Sequence, residues 1–276
     1  MWPPTCHAVP MSDVISTARQ ASDHPALETA ARVGYAVSGL LHLLIGWIAL
    51  QVAWGLGGSG KDADQSGALQ SLAGNGAGKL ALWVGVLGFL GLGLWQLADA
   101  AFGHPGSDKE AWGGRIKAFS KAVVYLALGW TTFNFARGKS SDSESQTVDL
   151  TSSLMSKPGG QWLVGIVGLV VIGVGAYHVW KGATEGFLRD LEKDPGTWAV
   201  RAGVVGYIAK GVALAVVGVL FILAAMHANP EESKGLDGAL RTLKDQPFGP
   251  GLLTAVALGI GAYGLYSFSR ARHARV

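Results

Sequence analysis

The 276 residues are 49% hydrophobic and only 15% charged, with a mean hydropathy of +0.32, whereas soluble domains carry about 25% charged residues, so composition excludes an ordinary water-soluble globule. The formal charge of +3 and pI near 9.0 come without a basic stripe interleaved with exposed aromatics, which argues against a nucleic-acid partner. A single cysteine, Cys6, excludes an intrachain disulfide and a cysteine-only metal cluster. Forty-one glycines without a Gly-X-Y period exclude collagen and suit membrane helices, whose backbones approach closely where small residues meet.

In chain order, residues 1–31 form a polar arm, read as cytoplasmic. MWPPTCHAVP is neither basic nor continuously apolar, so no signal peptide is expected. Met1 and Met11 are both candidate starts, and the ten residues before Met11 read as translated upstream sequence if the second is used. Beyond the arm, six stretches are apolar nearly all round and about 20 residues long, enough to cross roughly 30 Å of hydrocarbon as a helix. They are Gly34–Trp54, Leu80–Ala101, Ile116–Ala136, Trp162–Lys181, Val204–Met226 and Gly251–Phe268. None alternates as a barrel strand would, and lipid offers the backbone no hydrogen bonds, so each is a helix. Between the first two lies GLGGSGKD, Gly55–Asp62, which meets the first seven positions of a phosphate-binding loop; Asp62 stands where the magnesium-binding hydroxyl belongs, so a flexible loop is the better reading. KSSDSESQ after the third span reads as a solvated outer loop. Arg32, Arg115, Lys117, Arg201, Arg270 and the SRARHARV tail put the larger share of flanking basic charge on one side, so both termini are expected in the cytoplasm of a multi-pass cell-membrane protein.

The spans repeat. RVGYAVSGLLHLLIGW, RIKAFSKAVVYLALGW and VVGYIAKGVALAVVGV align Gly46, Gly129 and Gly218, and place Ser38, Lys121 and Lys210 at one position. GLGLWQL, GVGAYHV and GIGAYGL align Gly93, Gly175 and Gly261. Leu72, Leu154 and Leu243 each precede a glycine (Gly78, Gly160, Gly249) by six residues, across a short amphipathic turn. The period of about 85 residues marks three copies of one unit: repeat 1 over 32–103, repeat 2 over 115–187, repeat 3 over 201–270, then a basic tail, 271–276. The expected fold is all-α, a polytopic six-helix membrane bundle of three two-helix hairpins with pseudo-threefold symmetry, packed through those aligned glycines. The pattern of Gly-Tyr, a basic or polar residue, a small residue and Gly-Trp resembles the bacterial three-repeat membrane family called domain of unknown function 1206, from about Arg32 to Arg270. The resemblance implies six spans in three repeats and no mechanism; Ser38 departs from the basic residue usual there.

Five residues carry candidate chemistry. Lys121, Lys210 and Asp99 are ionisable groups within spans, each costing about 2.5–3.5 kcal/mol at a helix centre; they either snorkel or line an anion or proton path with Asp99 as counter-ion. His42 and His178 could hold haem or metal, but lack histidine or carboxylate partners one turn away, so interior packing is expected and no cofactor is assigned. No catalytic motif is present, so an enzyme is not expected. The functional expectation is a structural or accessory component acting through membrane-protein partners or as a homo-oligomer in the lipid bilayer. The alternative is a small-solute or ion transporter with a pathway between repeats.

Overall fold

The computed structural model describes residues 25–56, 62–74, 76–102, 108–139 and 143–274. The candidate Met11 start, most of the N-terminal arm and residues 57–61 of GLGGSGKD lie outside them. The chain is all-α: α1 (Pro25–Trp54), α2 (Gln65–Ala73), α3 (Gly76–Phe102), α4 (Asp108–Ala136), α5 (Ser143–Met155), α6 (Gly160–Ala183), α7 (Thr197–His227), α8 (Leu236–Lys244) and α9 (Gly249–His273), with 3₁₀ turns at Gly186–Asp190 and Pro230–Glu232. Pro25 opens α1, where its fixed φ and missing N–H cost nothing. The tract KSSDSESQ is not all loop, since α5 begins at Ser143.

Five helices, α1, α3, α6, α7 and α9, are long and apolar enough to cross a membrane. The expected sixth, α4, has the length at 29 residues, but Arg115, Lys117 and Lys121 at one end and Thr131, Thr132 and Asn134 at the other dilute its apolarity.

The short outer helices α2, α5 and α8 fall where the amphipathic turns were expected. The first helix of each repeat stops in the same way. Gly55, Gly138 and Ala228 take left-handed φ of 63°, 78° and 52°. The next residue then donates back into the last turn: Leu56 to Gln51 O, Lys139 to Asn134 O and Asn229 to Ala224 O. This satisfies carbonyls a helix end otherwise leaves open. Before each second span the chain turns so tightly that a Cβ on Gly78, Gly160 or Gly249 would strike the carbonyl oxygen of Leu72, Leu154 or Lys244. The glycine is thus a steric requirement in all three repeats, although in the third it meets the carbonyl of Lys244 and not that of Leu243.

Packing departs from three self-contained hairpins. Helices neighbour one another in the order α4–α3–α1–α9–α7–α6, while α4 and α6, the two long helices of repeat 2, make no extended contact among the described residues. The closest pairs instead join different repeats: α1 with α9, α4 with α3, α7 with α6. Glycines explain why. A Cβ on Gly39 or Gly46 of α1 would lie 2.9 Å from Gly264 O or 2.8 Å from Ala257 O of α9. On α7, Gly211 and Gly218 stand in the same way 2.5 Å from Gly175 O and 2.6 Å from Gly168 O of α6. Both seams use small residues two turns apart on each partner, which lets backbones touch where lipid offers no hydrophobic drive. Of the other aligned glycines, Gly93 admits only Leu126 of α4, but Gly129 meets nothing closer than 3.5 Å and a Cβ on Gly261 would meet nothing within 4 Å. Those two are therefore not close-approach positions, although Gly261 offers backbone to Gly46.

The outer ends are tied by Asp237, buried in the first turn of α8. Its carboxylate accepts the Ala63 N–H at 2.6 Å, across from repeat 1, and the Arg241 Nε of its own helix. Asp237→Ala is expected to lower thermal stability in detergent by about 1–3 kcal/mol, because it leaves a buried N–H unpaired. Asp237→Asn, which keeps an acceptor for Ala63, should recover part of that loss in the same melt.

Candidate functional site

The interior of the arc divides into two halves. Toward the end that carries the short helices α2, α5 and α8 it is filled by Ile45, Ile48, Ala49, Leu82, Leu253 and Ala257, all nearly inaccessible. Toward the opposite end, where α1 begins and α9 finishes, cations and aromatic rings from all three repeats replace these aliphatics.

Lys210 lies in α7 about 20 Å along the axis from Thr197. Its Nζ sits 4.4 Å from the centroid of the Tyr263 ring and 3.5 Å from His42 Nε2. His42 Nδ1 is 2.7 Å from the Ser38 carbonyl oxygen, which can only accept, so Nδ1 carries the proton and Nε2 presents a lone pair to the ammonium. Lys181, 8% exposed, places Nζ 5.5 Å from the Tyr207 ring centroid and 2.6 Å from Asp190 Oδ2. Arg270 stacks over Tyr35 at 4.4 Å and reaches the same carboxylate at 3.8 Å. Its Nε is buried without a hydrogen-bond partner. Lys121 is half-buried on α4, and the charges acting on it most are Arg270, Lys117, Asp190 and Lys181.

Tyr207 is the hub of the aromatic wall. It stacks on Phe187 at 5.2 Å and on His178 at 5.8 Å, and meets Tyr263 edge-on at 5.2 Å. His178 Nδ1 bonds the Val174 carbonyl at 2.8 Å, the same tautomer as His42. The Tyr266 hydroxyl lies toward Tyr207 yet is buried in a geometry that makes no hydrogen bond.

The floor is the linker after α6. Phe187, fully buried, fills the space that Gly203 leaves open: a Cβ there would lie 2.6 Å from the ring. That anchor aims Asp190 at Lys181 and Arg270. Beyond it Leu191 pairs with Ala274 and the Glu192 N–H donates to His273 O at 2.9 Å, while Arg32 of α1 donates to Arg272 O at 2.7 Å. Linker, first helix and last helix are therefore joined at one point. Burial pushes the Asp190 carboxyl up, but Arg270 and Lys181 outweigh it and hold the group below the usual carboxylate range.

Four cations thus share this region with one carboxylate, which pairs directly with Lys181 and Arg270. A cation over an aromatic face gains about 2 kcal/mol when desolvated, which offsets most of the roughly 3 kcal/mol that insertion costs. Unlike a carboxylate, a ring leaves the charge un-neutralised. The site keeps a strong positive potential and an unused Arg270 donor, the chemistry that receives an anion.

The structure brings Lys121, Lys210, His42 and His178 to this cluster. Asp99 is half-buried near the end of α3; the carboxylate that meets the cations is Asp190. His42 offers its ring nitrogen to Lys210 and not to a metal, and no cluster of three His, Cys, Asp or Glu occurs among the described residues. Lys181 and Arg270 stand at the ends of their spans, where a basic residue is ordinary, and Tyr35 and Tyr207 belong to the repeated Gly-Tyr pattern. The available signal was that tyrosines recur one turn from the in-span lysines. A surface depression of about 530 Å³ is lined by Leu188, Glu192, Lys193 and Thr197 at the linker and includes none of the four cations.

No solved structure matches the chain. It is similar to "Uncharacterized protein YxxB" of Bacillus subtilis (strain 168), 30% identical over 254 residues, covering 89% of this chain and 90% of that one. Domain of Unknown Function (DUF1206) matches three times, at residues 33–103, 116–185 and 205–274, and the chain belongs to the DUF1206 family.

Proposed function

We propose that this chain is an accessory protein of the cell membrane that binds a small anionic group in the inner half of its helix arc and acts through membrane partners. In this reading α4 is the sixth span. It runs along α3, it would reach about 43 Å as a helix, and it exposes Ile116, Phe119, Val123, Val124 and Trp130 where lipid would lie. Both termini are cytoplasmic, so the cation cluster occupies the inner leaflet. The pseudo-threefold reading is supported by the way each repeat's first helix packs against the second helix of another repeat. No catalytic step is assigned.

The observation that carries the reading is three cations held over aromatic faces, Lys181, Lys210 and Arg270, with Lys121 nearby and one carboxylate, Asp190, paired to two of them. Binding without conduction is favoured by the aliphatic filling of the outer half, which leaves the polar cluster on one side only. Transport is the second reading, favoured by Lys121 and Lys210 standing at one repeat position in two different repeats; it requires that outer half to open.

Two measurements on the full chain separate these. Calorimetry with inorganic phosphate should give binding that weakens about tenfold per lysine in Lys121→Gln and Lys210→Gln, the loss of one charge-assisted contact. Proteoliposomes loaded with the same anion should show no flux above protein-free vesicles. Flux abolished by the lysine substitutions would replace the accessory reading with transport, and absence of any anion binding would remove both.

A further inference from the structure

The arc has a side entrance. Five consecutive helix pairs pack, but α4 and α6 do not, so the inner cluster is bounded on that side by two helices without a seam. The flanking helix α6 is the least enclosed of the five apolar helices: 17% of its apolar window is buried, against 39–50% for the others. Across from it, Lys121 on α4 makes no hydrogen bond or ion pair among the described residues. Tyr125, one turn further along α4, packs against the buried core that includes Tyr35, which fixes the cluster-facing side of that helix. The outward flanks of both helices are apolar, with Phe119 and Val123 on α4 and Val170 and Val174 on α6 exposed.

We propose that the anion of this site is the phosphate-bearing headgroup of an acidic membrane lipid, which enters sideways between α4 and α6. This rests on the anion site proposed above and adds its occupant. The phosphate sits among Lys121, Lys210, Lys181 and the unpartnered Arg270 Nε, in competition with Asp190. The acyl chains stay in the bilayer along the apolar flanks of α4 and α6. A water-borne anion would approach past the linker floor, where Phe187 is buried and the Asp190 carboxylate repels it. A lipid arrives at the required depth by diffusing in its own leaflet. An acidic headgroup is selected over a zwitterionic one because the site holds cations in excess and offers only Asp190 to a choline or ethanolamine ammonium.

The test uses the purified full chain in detergent and two lipids with the same acyl chains, phosphatidylglycerol and phosphatidylcholine, read as retained adducts by native mass spectrometry. Wild type should retain phosphatidylglycerol about tenfold over phosphatidylcholine, and Lys121→Gln with Lys210→Gln should abolish that preference. The Lys121→Arg, Lys210→Arg pair keeps the charge and should keep the preference, and Lys117→Gln, exposed one turn earlier, should leave it unchanged. Asp190→Asn should strengthen retention, a direction that loss of structure does not give. Equal retention of the two lipids, or a preference that survives the double glutamine substitution, overturns the proposal. Inorganic phosphate is titrated in parallel. If phosphate binds through Lys121 and Lys210 while no lipid preference exists, the occupant is a free anion and only the lipid assignment falls. If neither binds, the anion site falls with it.

Discussion

Gly218→Val is expected to remove most folded protein, whereas Gly173→Val leaves it unchanged. A Cβ on Gly218 would lie 2.6 Å from Gly168 O and 2.9 Å from Ile172 N, all backbone of the facing helix. Backbone on both sides cannot rotate aside as a side chain can. The cost therefore sits at or above the upper end of the roughly 1–3 kcal/mol typical of overpacking. Gly173, two residues from the seam glycine Gly175, has nothing within 4 Å of a Cβ. Monodispersity and melting temperature in detergent read both variants. Equal losses would mean that glycine matters here for helix flexibility and not for the seam. The same contrast separates Gly46→Val, expected to fail against Ala257 O, from Gly261→Ala, expected to be tolerated.

The second large effect is on Asp190. Asp190→Asn removes the one carboxylate between Lys181 and Arg270 and should destabilise the chain by about 1–3 kcal/mol, the range for a hydrogen bond to a charged group. Asp190 is about a quarter exposed at its side chain, so the 3–5 kcal/mol of a fully buried broken pair is not reached. Because the folded carboxyl is held below its unfolded value of about 3.9, its contribution is complete above that value. It is lost as pH falls through the depressed folded value. Melting curves of wild type and Asp190→Asn should differ most near neutrality and converge below about pH 4. A constant gap at all pH values would show that the variant acts through packing of the linker and not through the charge.

Much of the fold was legible in the sequence because the two strongest constraints are local. A span declares itself by a run of apolar residues, and a repeat by spacing, so the positions of α1, α3, α6, α7 and α9 and the short outer helices follow from the chain alone. Partner choice was not legible. Gly46 and Gly129 occupy one repeat position, yet the facing helix presents backbone to the first and the Phe89 and Leu90 side chains to the second. Only the partner decides which glycine is a contact. The site was half legible. Lys121 and Lys210 stand out as charges within spans, and the structure joins them to His42 and His178. Lys181 and Arg270 lie at span ends where a basic residue is ordinary, and the linker turn that brings Asp190 back to them depends on Phe187 filling the gap beside Gly203. Nothing in the sequence around Asp190 announces that return.

The seam between α1 and α9 joins the earliest and latest spans to be synthesised, with Gly46 and Ala257 in contact across most of the chain. During insertion the other two seams close between consecutive helices, as soon as each emerges. The first helix alone must wait, its glycine face held in lipid until the final span arrives and Arg32 reaches the Arg272 carbonyl. Completion of the arc is thus coupled to the arrival of α9. A circularly permuted gene starting at α4 and ending at α3 would turn this slowest closure into a neighbourly one, and would leave the α3–α4 seam to close last.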